Sequence, residues 1–252
     1  MRTARRFLVL AALSSLAVVA APAARAQTPT VASVIGSADG LFVDLDINVD
    51  DSPGLTFGPE PSVTLPPQGG SVSDQVASVS ETVAFVSLTA DLLRVSAEGA
   101  LGPDGFATAE STVADIELQE LDSLFIGGIV GAEAITATCS ADLSGVSGST
   151  TLVGASVLDT ALDVEPEPNT EFAIAIDGAE VSGILNRQVE NPDGSLSVTA
   201  LVLEIVIGDD IITGTLEIGP ATCGVVEGIE LPAEEVVPAP AQAVPAQARF
   251  TG

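Results

Sequence analysis

The chain has 252 residues, with 35 acidic side chains against seven basic ones, all arginine, and no histidine, for a formal charge of −28. Such a field repels phosphate backbones and anionic lipid, which sets aside nucleic-acid binding and electrostatic membrane docking and leaves cations as natural companions. Without histidine or lysine, Ser-His-Asp triads, histidine-ligated metals and Schiff-base chemistry are set aside too.

The first element in chain order is an export signal. Met1 to Arg6 is basic, Phe7 to Ala20 is apolar, and Ala24-Arg25-Ala26 precedes Gln27, which reads as a secretory signal peptide over residues 1–26 cleaved after Ala26. The apolar run is shorter than the roughly 20 residues a bilayer span needs, and no later stretch reaches that length, so the mature chain is expected to have no membrane span. Arg2, Arg5, Arg6 and Arg25 leave with the signal, and Arg94, Arg187 and Arg249 stay.

Residues 27–229 read as a single all-β domain. In "DGLFVDLDINVDD" (39–51), Leu41, Val43, Leu45, Ile47 and Val49 alternate with Asp44, Asp46, Asn48 and Asp50. A helix-loop-helix calcium site starting at Asp44 would need glycine at its sixth position and glutamate at its twelfth, where Val49 and Leu55 stand. The stretch is therefore a strand with one acidic face. Ser52 to Ser73, rich in Pro, Gly and Ser, is expected to be a long surface loop. "VAFVSLTADLLRVSAEGAL" and "FATAESTVADIEL" flank the turn Gly102 to Gly105 and form a long hairpin, because Pro presets φ and Gly accepts positive φ. Leu118 to Phe125 is expected to make one helical turn or a short helix.

"GGIVGAEAITATCSA" and "STTLVGASVLDT" are β-rich segments parted by a Gly/Ser turn, and "EPEPNT" is a turn-rich crossover. The turns at Asn191 to Gly194 and at Gly208-Asp209-Asp210 then separate three strands of a meander. Two meanders joined by a long connection predict an antiparallel β-sandwich, with a β-barrel as the alternative. Cys139 and Cys223 are the only cysteines, and in an exported protein they are expected to form one disulfide, with two free buried thiols as the alternative. From Glu230 the chain is Pro/Ala-rich and unpatterned, which predicts a disordered C-terminal tail over 230–252 acting as a spacer.

Little chemistry is written into this composition. Paired carboxylates can hydrolyse glycosides, but Trp and Tyr are absent, so sugar-stacking and base-stacking platforms are missing, and the phenylalanines fall in strand patterns as core or near-core residues. Asp50-Asp51, Glu165 with Glu167, and Asp209-Asp210 are the loop carboxylates that would serve Ca²⁺. No catalytic residue and no cofactor is assigned.

"ITATCSADLSGVSGSTTLVGASV", "EPNTEFAI", "GILNRQVENPDGSLSVTALVLEI" and the closing "IGPATCG" resemble, as an ordered set over residues 85 to 224, the secreted bacterial choice-of-anchor P family. Arg187 stands where that pattern has Glu, and Glu204 lies where a His is expected. The resemblance implies an exported surface protein with a common β domain and variable anchoring segments, and it carries no activity. The sequence thus predicts a secreted or surface-associated protein with a structural or adhesive role toward an extracellular partner and no catalysis. A calcium-dependent ligand-binding module and a carboxylate hydrolase are the alternatives.

Overall fold

The long alternating runs of Val, Ile, Leu and Thr form strands throughout. In the computed structural model, residues 28–49, 52–121, 128–176, 178–208 and 210–230 are described, and they fall within one unit of contacts that spans Thr28–Leu231. The segment read as a signal, with Ala24, Ala26 and Gln27, residues 231–252 of the expected tail, and Asp50, Asp51, Phe125, Asp209 and Phe250 lie outside the described residues. The described residues contain strands and no helix, and every strand pair is antiparallel.

The chain starts in one sheet, builds a second, and returns to the first. β1 (Thr28–Ile47) and β2 (Leu55–Thr64) lie beside β12 (Thr170–Ile176), β13 (Ala179–Glu190), β14 (Leu196–Ile207) and β15 (Ile212–Glu230) in a six-stranded sheet of order β12-β13-β14-β15-β1-β2. The second sheet holds β3 (Gly70–Val76), β4 (Val79–Val83), β5 (Val86–Ala90), β6 (Leu92–Ala100), β7 (Phe106–Glu120), β8 (Gly128–Asp142), β9 (Gly145–Val153), β10 (Ser156–Val157) and β11 (Thr160–Ala161). The sheets pack face to face over one shared core and do not close into a barrel, so the sandwich prediction holds.

The second sheet is simpler than its strand count suggests. β3 and β4 pair with β6 and β5 in one continuous register, β5 and β6 continue each other along β7, and β9 and β10 do the same along β8. It is an up-and-down meander of long strands, of which β7 and β8 run unbroken and the others are interrupted. The irregular positions align. Asp91, Asp115 (φ 49°), Glu133 and Gly154 (φ 61°) cross it in one row, and on either side the inward positions change parity: Leu93 and Val113 point inward below the row, Leu88, Ile116 and Leu118 above it. The six-stranded sheet has a matching row through Asn186 (φ 50°), Ala200, Gly219 (φ 69°) and Gly40. Because side chains alternate faces with period two, one extra residue per strand reverses the pattern; placed at the same row in every strand, it creases the sheet and preserves register.

The core between the sheets tapers. At one end Leu93, Val113, Ile135 and Leu152 of the second sheet face Leu201, Leu203, Leu216 and Leu41 of the first, all fully buried. At the other, the inward row is Ala97, Ala109, Cys139 and Gly148, facing Cys223 and Gly36. Packed sheets ordinarily stand about 10 Å apart. The Cys139–Cys223 disulfide, with a Cα–Cα distance of 5.6 Å, holds them much closer, and only small neighbours fit beside it. One row up, the buried Ser111 hydroxyl donates to the Asp39 carbonyl at 2.7 Å, a second link from sheet to sheet.

Two expectations need correction. Ser52 to Ser73 is not one loop: β2 and β3 occupy most of it, because β2 is an edge strand and an edge tolerates the missing N–H groups of Pro59 and Pro61. Leu118 is a fully buried strand residue and β7 runs on to Glu120, so the start of the expected helical segment is strand, and its residues 122–125 lie outside the described residues. Among the described phenylalanines the core or near-core reading holds for Phe85, which is buried in the core, and for Phe57 and Phe172, which pack against it, while Phe42 and Phe106 are half-buried.

The crossover from β11 to β12 is fastened by polar side chains that the sequence pattern does not single out. Asn186, 3% exposed, donates through Nδ2 to the Pro166 carbonyl at 2.9 Å and accepts at Oδ1 from Gln188 Nε2 at 3.0 Å. Gln188 also donates to the Gly148 carbonyl on β9 at 2.9 Å, and its backbone N–H donates to Asn169 Oδ1 at 2.8 Å. Asn tolerates positive φ better than other non-glycine residues, so one side chain serves both the crease and the crossover.

Candidate functional site

The sandwich presents two outer faces of different chemistry. On the six-stranded sheet, the outward residues include Glu171, Ile184, Val202, Glu217 and Phe42 in one row and Ala173, Ser182, Glu204, Thr215, Asp44 and Thr56 in the next. Asp44 and Asp46, which open the acidic alternation in the sequence, lie here, exposed, with Val43 and Leu45 buried beneath. The strand-face reading of that stretch is correct. The Thr56 hydroxyl donates to Asp44 at 3.0 Å. A groove of about 540 Å³ over β12, β13 and β14 is lined by Glu171, Ile184, Val202 and Glu204 among others.

The other face is a grid. Five strands, β3, β6, β7, β8 and β9, set Gln75, Arg94, Thr112, Thr136 and Thr151 side by side in one row. The next row on the same face is Ser73, Ser96, Glu110, Thr138 and Ser149, and the third is Ser71, Glu98, Thr108, Ser140 and Ser147. All fifteen positions are polar and eleven are Ser or Thr. Neighbouring hydroxyls join across strands: Thr112 to Thr136 at 3.1 Å and Thr138 to Ser149 at 2.9 Å. A groove of about 530 Å³ runs over this face, lined by Arg94, Ser96, Glu98, Thr108, Glu110 and Thr138 together with β3 and β8 residues.

The grid offers hydrogen bonds of every kind. Each hydroxyl both donates and accepts, each carboxylate accepts at two oxygens, and the Arg94 guanidinium donates in a planar fork. One arginine and two glutamates make its own charge nearly neutral, in contrast to the chain as a whole. Sequence reasoning missed this surface. Its signal was present as polar alternation in "ESTVAD", "ITATCSAD" and "GSTTL", and the neighbours follow once each hairpin turn fixes the register.

Of the loop carboxylates considered for Ca²⁺, Glu165, Glu167 and Asp210 are described, whereas Asp50, Asp51 and Asp209 lie outside the described residues. Glu165 and Glu167 belong to the crossover, Asp210 (φ 71°) to the β14–β15 turn, and among the described residues no three Asp, Glu, His or Cys side chains are placed to hold a metal ion. With the acids acting as diffuse surface charge, thermal unfolding with Ca²⁺ is expected to match unfolding in NaCl at equal ionic strength, both screening the acidic surface. A rise in Tm that Ca²⁺ gives and Mg²⁺ and NaCl do not would assign an ion site to the chain.

A glycosidase pair needs one carboxyl held protonated. Asp193 is moved the opposite way: the Ser195 hydroxyl donates to it at 2.7 Å and the Ser195 N–H at 3.0 Å, which lowers its pKa. Its role is to close the β13–β14 turn, where Asn191 also donates to Ser195 and Ser197 at 2.9 and 3.0 Å. Cys139 and Cys223 are joined to each other, and no described cysteine is free. No described helix is long and apolar enough to cross a membrane. A scan against protein-family models finds no match, and neither do searches of curated proteins and of solved structures.

Proposed function

We propose that this chain is an exported surface or extracellular protein with a structural or adhesive role, and that the hydroxyl grid is its contact surface. The observation that carries the reading is the grid itself: fifteen outward positions in three rows without one apolar side chain. A strand face built only to meet water carries no requirement for so many hydroxyls. The ligand class that suits it is a neutral, polyhydroxylated polymer such as a polysaccharide. Vicinal hydroxyls pair with two-pronged groups, here Glu98, Glu110, Arg94 and Gln75, and the flanking Ser and Thr residues serve single hydroxyls. Without aromatic stacking each subsite is weak, so attachment would come from many subsites engaged at once. The ordered motifs that resemble the choice-of-anchor P family, and the signal-like start of the sequence, support export.

The test is binding of the full secreted chain to a panel of neutral and acidic polysaccharides, with the mature mass checked for a start at Gln27. Binding to a neutral polysaccharide is expected, weakened about tenfold by Glu110→Ala because hydrogen bonds to charged groups contribute about 1.5–3 kcal/mol. Glu204→Ala on the opposite face is expected to change nothing. Equal binding by parent and Glu110→Ala, or loss only in Glu204→Ala, would overturn the assignment of the face.

A further inference from the structure

The edges of the sandwich are unequally protected. A bare strand edge presents unpaired N–H and C=O groups, and proteins guard such edges with proline, charge, short strands or covering segments. β2 carries Pro59 and Pro61. The β3–β4 edge carries Asp74 and Glu81, and β11 is two residues long. β9 is covered by the crossover, since the Leu152 N–H donates to the Val164 carbonyl at 2.8 Å and Gln188 caps the Gly148 carbonyl. Among the described residues, β12 has neither a proline nor a covering segment. It ends the six-stranded sheet with β13 as its neighbour there, reads "TEFAIAI", and has Glu171 as its one charge.

We propose that β12 pairs with β12 of a second copy of this chain, antiparallel about a two-fold axis through Ala173. Thr170–Ile176 has Ala173 at its centre, so this register pairs the strand over its whole length. It sets Phe172 opposite Ile174 of the other copy, twice, which is a favourable aromatic to β-branched cross-strand contact. Ala173 meets Ala173, and Glu171 meets Ala175, so no like charges stand opposite. Moving the axis to Ile174 would leave Thr170 and Glu171 of each copy beyond the paired strand and would lose both Phe172–Ile174 contacts. The half-buried Phe172 and Ile174 and the 38% exposed Ile176 would then join their counterparts in one apolar strip. The two six-stranded sheets become one continuous sheet. This pairing does not depend on what the hydroxyl grid binds, and it would present two grids in one assembly.

The first measurement is the mass of the full chain in solution by light scattering over a concentration series. A dimer is expected, and added NaCl should favour it by screening the acidic bodies from each other. Ala173→Asp, which sets two carboxylates face to face, is expected to give a monomer with the parent's circular dichroism. Ala173→Cys is expected to form a covalent dimer under mild oxidation, because directly opposed residues have Cα atoms about 4.5–5.5 Å apart, within disulfide reach. Ala175→Cys is expected not to cross-link, because its own counterpart lies four residues along, about 13 Å away. A parent that stays monomeric at high concentration and high salt would overturn the proposal, and so would cross-linking through Cys at 175 and not at 173.

Discussion

Replacing Cys139 and Cys223 together by alanine is expected to destabilise the fold by about 4–5 kcal/mol in the chain-entropy account of a disulfide. The bridge joins residues 84 apart in sequence, so its loss frees a long loop in the unfolded chain. At about 2–4 °C per kcal/mol for a domain of this size, Tm falls by about 10–15 °C. Alanine is the right replacement because both positions are buried, at 2% and 0% exposure, among Ala97, Ala109, Gly36 and Gly148, where a hydroxyl would add an unpaired polar group. Calorimetry of the variant beside the reduced parent checks the expectation, and the two should melt together. A fall of only a few degrees would mean that the taper, the Ser111 bond and the long β1–β15 ladder hold the sheets together without the bridge.

The large features of the fold could be read from local patterns. The Pro-Asp-Gly turns marked the β6–β7 and β13–β14 hairpins, the alternation of Leu41 to Ile47 marked a half-buried strand, and the cysteine pair marked the bridge. The meander of β13, β14 and β15 follows from the same signals. Two classes of feature escaped. Proline in "FGPEPS" looked like a loop because its cost depends on whether the strand is central or at an edge, which is a property of the whole sheet. The creases escaped because a single extra residue reads as noise in one strand; Asp115 and Asn186 acquire meaning only when neighbouring strands carry theirs at the same row. The hydroxyl grid was hidden for a related reason. Serine and threonine on an outward face look like ordinary solvation in each strand, and only the register across five strands turns them into rows.

The taper makes opposite demands at its two ends. At the wide end, Leu203→Ala is expected to cost about 2–5 kcal/mol, because the fully buried side chain leaves a cavity its neighbours cannot fill. At the narrow end the damaging change is an addition. A Cβ on Gly148 would stand 2.3 Å from Val198 Cγ2 and 3.2 Å from Leu196 Cδ2, both from the opposing sheet. Gly148→Ala is therefore expected to cost about 1–3 kcal/mol by overpacking, although alanine is otherwise the better strand residue. Val198→Ala removes the opposing methyl groups, so the double variant should be more stable than the sum of the single changes predicts, by about 0.5–3 kcal/mol. Denaturant unfolding of the four proteins in that cycle gives the coupling directly. Strict additivity would mean that the sheets separate freely at this end, and the small residues around Cys139 would then need another explanation than close approach.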